Sequence, residues 1–314
     1  MIPEITTNSP IFPTPRSAVA GYFGPHSMTW RLYREPIVII GGVRALLLQV
    51  AHPAVAEGVA HFSNFKKDAL GRGFRTFSAM AMIYFGDKSQ ADTVAQRLWR
   101  VHSAIRGPLP DGQNRYQATD PALLLWVLAT LTETTIQVFE QVPVKDLPDD
   151  WREQFYAESK VAATLLGIPA EAYPPDLPAF RHYFAEMLHG PLLGSTPTTR
   201  EVAQAILQHR FTPTALANLL AAGGLPEALA QRLGIQTPLH HTLRFARWLK
   251  IVRRVYRLLP RRLRYSPAYY QALHRIAKAE QRPSPLLGRW YDWLGRTTRI
   301  PLGLNTGRKA VSHH

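Results

Sequence analysis

The stretch DPALLLWVLATLTETTIQVFEQV, residues 120–142, decides the fold class. Asp120 can cap a helix with its carboxylate, and Pro121 suits the first helical turn, where no backbone N–H is needed. The residues that follow are mostly apolar and include neither glycine nor a further proline. This pattern predicts one long helix.

Helical signals recur along the rest of the chain. Asp149 or Asp150 begins WREQFYAESKVAATLLG, which stops at Gly167 with Pro169 just beyond. Further helices are predicted at PAFRHYFAEMLHG, TREVAQAILQHR, PTALANLLAA and PEALAQRLG. No alternating strand pattern of useful length occurs, so we predict an all-α protein.

Composition excludes several classes of function. The 314 residues are 46 % hydrophobic and 19 % charged, which supports a large buried core. The absence of cysteine excludes disulfides, thiolate-bound zinc, iron–sulfur clusters and thiol nucleophiles. The N-terminus lacks a signal-peptide pattern, and the most apolar stretch, residues 37–56, is interrupted by Gly, Arg, Gln, His and Pro. We therefore expect a cytoplasmic protein whose apolar stretch is a core segment.

The positive charge belongs to one segment. Residues 241–314 hold 17 of the 37 Lys and Arg residues but two of the 22 acids, which accounts for the whole net charge of +15. We predict a helical domain over residues 1–240 and a basic helical extension, residues 241–314, packed on it. The first helix of the extension has apolar residues at helical spacing: Phe245, Trp248, Leu249, Val252, Tyr256 and Leu259.

Three interpretations of this basic helix stay open. Residues 244–264 could lie on an anionic membrane surface, as a peripheral contact at the inner membrane face. The apolar stripe could instead pack on the core and leave a solvated basic face. Nucleic-acid binding ranks last, because no known nucleic-acid-binding fold accompanies the basic and aromatic residues.

Candidate chemistry begins in the segment from Ala45 to Phe65. Pro53 should divide this helix, and the preceding His52 either lines a pocket or caps the broken helix. Glu57 could be a general base in apolar surroundings. It could equally be a surface residue that pairs with His61 four positions later.

The segment from Ser89 to Gly107 predicts a second helix, with a capping box at Ser89 and Asp92. His102 lies on one stripe with apolar residues: Val94, Leu98, Val101 and Ile105. A neutral imidazole on an apolar helical face suits a proximal haem ligand, so His102 is the candidate metal ligand. The alternative is a core histidine bonded to a backbone carbonyl.

Between these segments, Arg72, Arg75 and Thr76 share one face of a predicted helix. Two guanidinium groups and a hydroxyl could bind carboxylates, including haem propionates, or donate to an iron-bound oxygen. The alternative is a solvated helix start whose arginine stems cover the core.

These segments together carry a resemblance to a known family. The run GPHSMTWRLYREPIVIIGGVRALLLQVAHPAVAEGVAHFSNFKKDALGRGFRTFSAMAMIYFGD, followed by RLWRVHSAIRG, resembles the catalytic domain shared by bacterial rubber oxygenase and the fungal oxygenase of mycophenolic acid biosynthesis. The resemblance continues more weakly to about Leu193. It implies a globin-like helical bundle around a pocket for one haem b, and oxidative cleavage of an isoprenoid double bond by O₂.

The resemblance also assigns residue roles. His102 matches the proximal iron ligand, and Arg72 and Thr76 match the arginine and threonine beside the haem. Glu57 lies near the glutamate proposed as base for allylic proton removal. Arg75 stands where rubber oxygenases have a lysine that can ligate iron, and arginine stays protonated and cannot do so.

We therefore predict a haem-b-dependent oxygenase acting with O₂ on an apolar, isoprenoid-like alkene. Its catalytic group comprises Glu57, Arg72, Arg75 and Thr76, and its cofactor contacts comprise His102, Arg72, Thr76 and His52. A second departure is Leu128, where many relatives carry a histidine.

Three rival functions are weighed against this one. A haem carrier or a gas or redox sensor would need the same His102 without catalysis. A basic helical membrane- or nucleic-acid-binding protein would need no haem. A di-iron carboxylate protein needs two Glu-x-x-His motifs, and the chain has one, from Glu186 to His189.

Overall fold

Helices make up nearly all of the regular structure in this computed structural model, which describes residues 18–63, 65–144, 147–208, 219–220, 223–236, 239–260 and 264–297. Side chains are described there except those of residues 65–74, 239–242 and 295–297. The α-helices in these ranges are α1 (Met28–Tyr33), α2 (Gly42–Ala51), α3 (Pro53–Phe62), α4 (Phe65–Phe85), α5 (Lys88–Ala104), α6 (Pro121–Gln141), α7 (Trp151–Leu165), α8 (Leu177–His189), α9 (Pro197–Leu207), α10 (Glu227–Arg232), α11 (Leu239–Leu258), α12 (Pro267–Ala279) and α13 (Leu286–Thr297).

Sheet structure in the described residues is limited to one short hairpin. Strand β1 (Arg106–Pro108) pairs antiparallel with β2 (Arg115–Gln117), and Gly107 lies opposite Tyr116. The all-α prediction is confirmed. The described residues group into two units, the first over residues 37–74 and 98–259 and the second over residues 18–36, 75–97 and 264–297. The domain boundary predicted between residues 240 and 241 stays a prediction.

Helix α6 forms the centre of the first unit. Asp120 Oδ1 accepts a hydrogen bond from Ala122 N at 2.8 Å, which confirms the predicted cap. The Trp126 side chain is fully buried, donates from Nε1 to the Leu48 carbonyl at 3.1 Å and stacks on Phe184. By length and composition α6 could cross a membrane, but most of its apolar stretch is buried within the fold. It therefore has the surroundings of a core helix.

The chain turns sharply at His52, as the proline pattern predicts. A 3₁₀ helix (Pro36–Gly41) leads into α2, and α3 follows after His52 at an angle of 101°. Taken together the two segments also pass the length-and-composition test for a membrane span. Pro53 starts α3 because its ring removes the backbone donor that would continue α2.

The second unit is built around Trp30 of α1. Its indole is fully buried, donates to the Tyr84 carbonyl at 2.7 Å and meets the rings of Phe85 and Tyr269 edge-on. Arg275 of α12 donates to the Phe85 carbonyl at 2.6 Å. Aromatic packing and hydrogen bonds to helix-end carbonyls thus hold α1, α4 and α12 together.

The predicted capping box of α5 was wrong by two residues. Asp87 Oδ1 accepts from Gln90 N at 2.8 Å, and Gln90 Oε1 accepts from Asp87 N at 3.0 Å. The reciprocal bonds therefore join Asp87 and Gln90, whereas Ser89 lies inside the first turn, where its carbonyl accepts from the Thr93 hydroxyl. The predicted helix PTALANLLAA lies mostly outside the described residues.

Helix α11 packs on the first unit with the stripe that the spacing identified. Phe245 and Leu249 are buried, and the Phe245 ring fills the space where a side chain at position 223 would lie. Trp248 packs beside Phe245 with 5.8 Å between ring centroids. Phe245 and Leu249 therefore pack on the core, whereas Leu259 at the end of the stripe is 45 % exposed, and the membrane interpretation of residues 244–264 stays a prediction.

Candidate active site

His102 lies in the last turn of α5, on the face that this helix turns inward. Ala91 and Ala95 precede it on that face at helical spacing, and both are buried. The His102 side chain is partly buried, and Val101 at the edge of the face is 53 % exposed. The buried alanines therefore make the inner contacts of this helix, and the larger side chains lie at the margin of the face.

A close packing contact fixes the end of α5. The Trp99 ring lies against Gly167, where a Cβ atom would come within 2.8 Å of the ring. Gly167 ends α7 with a φ of +84°, a conformation that favours glycine. Because Trp99 is three residues before His102, this contact also sets the position of the histidine.

His52 takes the capping role, one of its two predicted alternatives. Its Nδ1 accepts a hydrogen bond from Ala54 N at 3.2 Å at the start of α3. Burial lowers the pKa of His52 to about 4, and the negative charge of Asp120 opposes this shift in part. The ring is therefore neutral at pH 7 and carries its proton on Nε2, which makes that atom a donor and not a metal ligand. Its predicted contact with a cofactor stays a prediction.

Glu57 is a buried carboxylate on α3 with one oxygen in a weak contact. The side chain is 6 % exposed, and Oε2 lies 3.5 Å from Nδ1 of His61, four residues along the helix. The same Nδ1 is 3.0 Å from the Glu57 carbonyl oxygen. Oε1 has no hydrogen-bond partner among the described residues. Glu57 therefore does pair with His61 through Oε2, and this pairing leaves its buried Oε1 atom able to accept a hydrogen bond or a proton.

Tyr116 of β2 provides a second buried polar atom beside Glu57. Its side chain is 5 % exposed, and its hydroxyl likewise has no hydrogen-bond partner among the described residues. Burial, followed by the negative charge of Glu57, raises the pKa of the Tyr116 phenol. The phenol therefore stays protonated at neutral pH and remains a potential donor.

Two glycines make room for the Tyr116 ring. A Cβ atom at Gly107 would lie 3.0 Å from the Tyr116 hydroxyl oxygen, and one at Gly58 would lie 3.6 Å from ring atom Cε2. The ring thus fits between α3 and β1. Apolar residues surround it: Ala54, Val55, Ile105, Leu109 and Leu123. The phenol is therefore held in largely apolar surroundings, where the negative charge of Glu57 acts on it.

Tyr116 was not among the predicted site residues. Its signal in the sequence is weak, since it is the one aromatic residue in the polar stretch from Asp111 to Asp120. Nothing local relates it to Glu57, which is 59 positions away. Only the packing of the hairpin on α3 brings the two side chains together.

The remaining predicted residues lie on α4 and α6. Helix α4 carries Arg72, Arg75 and Thr76 at the expected spacing, with the Arg75 side chain exposed and Thr76 partly exposed. The side chain of Arg72 lies outside the described residues. The roles of all three stay predictions. Leu128 is 1 % exposed within α6, so a histidine at that position would enter the core of the first unit.

The donor chemistry available for a metal is narrow. Within the part of the chain that the structure describes, no group of three or more His, Asp or Glu side chains lies close enough to hold a metal ion. The single Glu-x-x-His motif makes local contacts, since Glu186 pairs with His182 at 3.2 Å and His189 with the Ala185 carbonyl at 2.8 Å.

Comparison with known proteins identifies the family. Residues 30–254 match the sequence model of the family described as "ER-bound oxygenase mpaB/B'/Rubber oxygenase, catalytic domain". The chain belongs to this family. It matches no curated protein and no solved structure. Membership makes the chain an oxygenase, and hence an oxidoreductase.

The matched rubber-oxygenase domain includes every predicted site residue and ends within α11. The resemblance implies a haem, and the described residues fit one in their donor chemistry. His102 supplies an imidazole in the last turn of α5, and a single protein ligand suits a haem iron, because the porphyrin supplies further donors. The side chains near it on the helix, Leu98 and Val101, are apolar, with Leu98 partly buried and Val101 exposed, which leaves apolar surface beside His102.

Proposed function

We propose that this chain is a haem-b-dependent oxygenase that oxidatively cleaves or oxygenates an apolar, isoprenoid-like alkene with O₂. The observation that carries the proposal is the match of residues 30–254 to an oxygenase catalytic domain. The chemistry of the matched residues supports it, because that domain combines a histidine in the last turn of α5 with a buried carboxylate, Glu57, whose charge acts on the buried Tyr116 phenol.

In this proposal His102 holds the iron, and Arg72 and Thr76 contact the cofactor. When bound, the haem would supply the activation of O₂. Arg75 carries a guanidinium cation, which would stabilise negative charge on a reacting oxygen.

Glu57 is proposed as the base. Its Oε1 atom is buried and has no hydrogen-bond partner among the described residues, so a lone pair is available there to accept a proton. It would accept an allylic proton at Oε1. Before that transfer, the Tyr116 hydroxyl would donate a hydrogen bond to the charged carboxylate and keep it in place, since the charge of Glu57 already acts on the phenol.

Haem binding is tested by the absorption spectrum of the purified protein, oxidised and reduced, together with a pyridine haemochrome assay. We expect a Soret band and b-type bands in the unaltered protein. His102→Ala should remove most of the haem, whereas His182→Ala, at an exposed histidine outside the proposed site, should retain it. Equal haem content in the two variants would contradict the assignment of His102.

Catalysis is separated from haem carriage or gas sensing by product analysis. The haem-loaded protein is incubated with a linear isoprenoid alkene under O₂, and carbonyl products and O₂ uptake are measured. Oxygenated products in proportion to O₂ consumed would support the oxygenase. A protein that binds haem and O₂ but consumes neither O₂ nor alkene would be a carrier or sensor instead.

A cytoplasmic location, with peripheral contact at the inner membrane face through residues 244–264, belongs to the same proposal. What supports it is the outer face of α11, where Ile251, Val255 and Leu258 are exposed at helical spacing. Exposed arginines flank this stripe, among them Arg247 and Arg254. Liposome sedimentation of Ile251→Ser/Val255→Ser measures this contribution, and unchanged binding to anionic vesicles would contradict it.

A further inference from the structure

Helix α13 has an outer face that is unusually apolar for an exposed surface. Leu286, Trp290 and Trp293 follow one another at helical spacing and are 80 %, 49 % and 59 % exposed. Arg289, also exposed, lies on the same side of the helix. Large exposed apolar residues that line up on one face usually mark an interaction surface.

The inner face of α13 is held tightly against α12. A Cβ atom at Gly288 would lie 2.6 Å from the Tyr270 carbonyl oxygen and 2.9 Å from Cβ of His274, so only glycine allows this approach. Tyr291 stacks on Tyr270, and Gln271 Nε2 donates to the Tyr291 carbonyl at 3.2 Å. The outer face is therefore presented in a fixed orientation.

The charge around this face favours an anionic partner. Between residues 264 and 297, which belong to the same unit as α13, the chain carries six Lys and Arg residues and two acids, Glu280 and Asp292. Glu280 forms an ion pair with Arg282, and Asp292 lies 3.9 Å from His274 Nε2. Both carboxylates thus have basic neighbours, and the positive charge of the segment is left to attract anions.

We propose that α13 is an interfacial membrane anchor that docks the protein on an anionic lipid bilayer. Tryptophan prefers the boundary between headgroups and acyl chains, where its ring is buried and its N–H stays near water. Leu286 adds an aliphatic contact that would have no role in stacking on nucleic-acid bases. Arginines of the segment then pair with lipid phosphates, each adding to the attraction.

A second copy of the chain is a poorer partner for the same face. Two such surfaces would bring two strongly basic segments together, and like charges repel. The inference does not depend on the oxygenase proposal, because it uses no residue of the candidate active site. The anchor on α13 is separate from the membrane contact proposed for residues 244–264.

The test uses the full-length protein and sedimentation with vesicles of phosphatidylcholine alone or mixed with phosphatidylglycerol. We expect the unaltered protein to bind the anionic vesicles at low salt and to bind less at high salt. Trp290→Ser/Trp293→Ser should weaken this binding about tenfold or more, since two interfacial indoles are lost. Ile39→Ser/Leu192→Ser is the matched control, because it removes exposed apolar side chains from elsewhere in the chain.

Circular dichroism and haem content are measured on every variant, so that a folding defect or a loss of haem can be distinguished from a loss of vesicle binding. A double tryptophan variant that is folded, and still binds vesicles as the unaltered protein does, would overturn the proposal. So would unaltered protein that ignores anionic vesicles. A variant that loses self-association or nucleic-acid binding while vesicle binding persists would assign the face to one of those partners.

Discussion

Two buried glutamates, one in each unit, show how differently a carboxylate can be used. In the second unit Glu35 is 1 % exposed, and Arg264 meets both of its oxygens, with Nε 2.8 Å from Oε2 and an Nη2 hydrogen bond of 3.0 Å to Oε1. In the first unit Glu57 is nearly as buried, but no arginine among the described residues forms an ion pair with it. Its Oε2 atom lies 3.5 Å from Nδ1 of His61, and its negative charge helps to raise the pKa of Tyr116.

This difference separates a carboxylate that stabilises the fold, Glu35, from one that is available for chemistry, Glu57. Glu35 faces the Arg264 guanidinium, which donates one hydrogen bond to Oε1 and approaches Oε2 with Nε, so the charge of the buried carboxylate is balanced by an opposite charge. Glu57 keeps a buried oxygen without a hydrogen-bond partner among the described residues. Such an arrangement is unfavourable for stability, and it is expected where a group must react. The following predictions test this distinction.

The largest effect on stability is expected for Glu35→Ala. Removing this carboxylate leaves the Arg264 guanidinium, whose side chain is 9 % exposed, without the charge that faces it. The free energy of unfolding should fall by about 3–5 kcal/mol, as for other buried ion pairs that lose one partner. Chemical denaturation measures this change.

Glu140→Ala is the matched control for Glu35→Ala. Glu140 also pairs with two arginines, Arg152 at 2.6 Å and Arg181 at 3.4 Å, but its side chain is exposed. Its loss should cost less than about 1 kcal/mol. Equal destabilisation by the two substitutions would remove the argument that burial makes the Glu35 pair structural.

Glu57→Gln should affect turnover far more than stability. A general base typically contributes a factor of about 10²–10⁴ to the rate, and glutamine cannot accept the proton. Because the replaced oxygen has no hydrogen-bond partner, unfolding free energy should change by about 1 kcal/mol or less. Alkene turnover with unchanged haem content is the measurement, and a fully active variant would remove Glu57 from the mechanism.

The pH dependence of stability is expected to involve His52, which caps the helix that carries Glu57. The pKa of His52 is lowered from 6.5 to about 4 in the folded protein, so only the unfolded chain binds a proton between these values. Its contribution to stability is present above pH 6.5 and is lost as the pH falls towards 4, by at most about 3 kcal/mol.

His52→Asn should retain the cap, because asparagine also accepts a hydrogen bond from the helix start, and should remove this part of the pH dependence. Denaturation midpoints between pH 4 and pH 7 provide the measurement. His182→Asn, at an exposed histidine, is the control and should leave the profile unchanged. A His52→Asn profile as steep as that of the unaltered protein would contradict the shift.

The smallest effect is expected for Tyr116→Phe. The lost hydroxyl is buried without a hydrogen-bond partner among the described residues, so its removal should raise the unfolding free energy by about 1 kcal/mol. If the hydroxyl steadies the Glu57 carboxylate, turnover should fall while haem content stays constant. A variant less stable than the unaltered protein would indicate that the hydroxyl has a bonding partner in solution.

Features that depend on neighbouring residues could be predicted from the sequence. The cap at Asp120, the break at Pro53 and the all-α class follow from side-chain and backbone preferences over a few residues. The family resemblance follows from ordered motifs and is confirmed by the match over residues 30–254. The capping box of α5 was missed by two positions, because Asp-x-x-Gln and Ser-x-x-Asp compete within the same six residues.

Contacts between distant positions could not be predicted in this way. The spacing of α11 identified Phe245 and Leu249 as one stripe, but an amphipathic helix looks the same whether its apolar face meets a core or a membrane. Likewise, the sequence singled out Glu57 without Tyr116, and the burial that distinguishes Glu57 from a surface glutamate depends on where the hairpin packs.

The sequence by itself determined the helical class, the helix breaks, the family and the concentration of positive charge after residue 240. These depend on local preference, ordered motifs and composition, which are properties of a linear chain. The tertiary structure decided which glutamate is paired, which apolar stripes stay exposed and which face of α13 points outward. Whether a side chain is buried, and which side chain it contacts, depends on tertiary packing, because the contacting residues lie far apart in the chain.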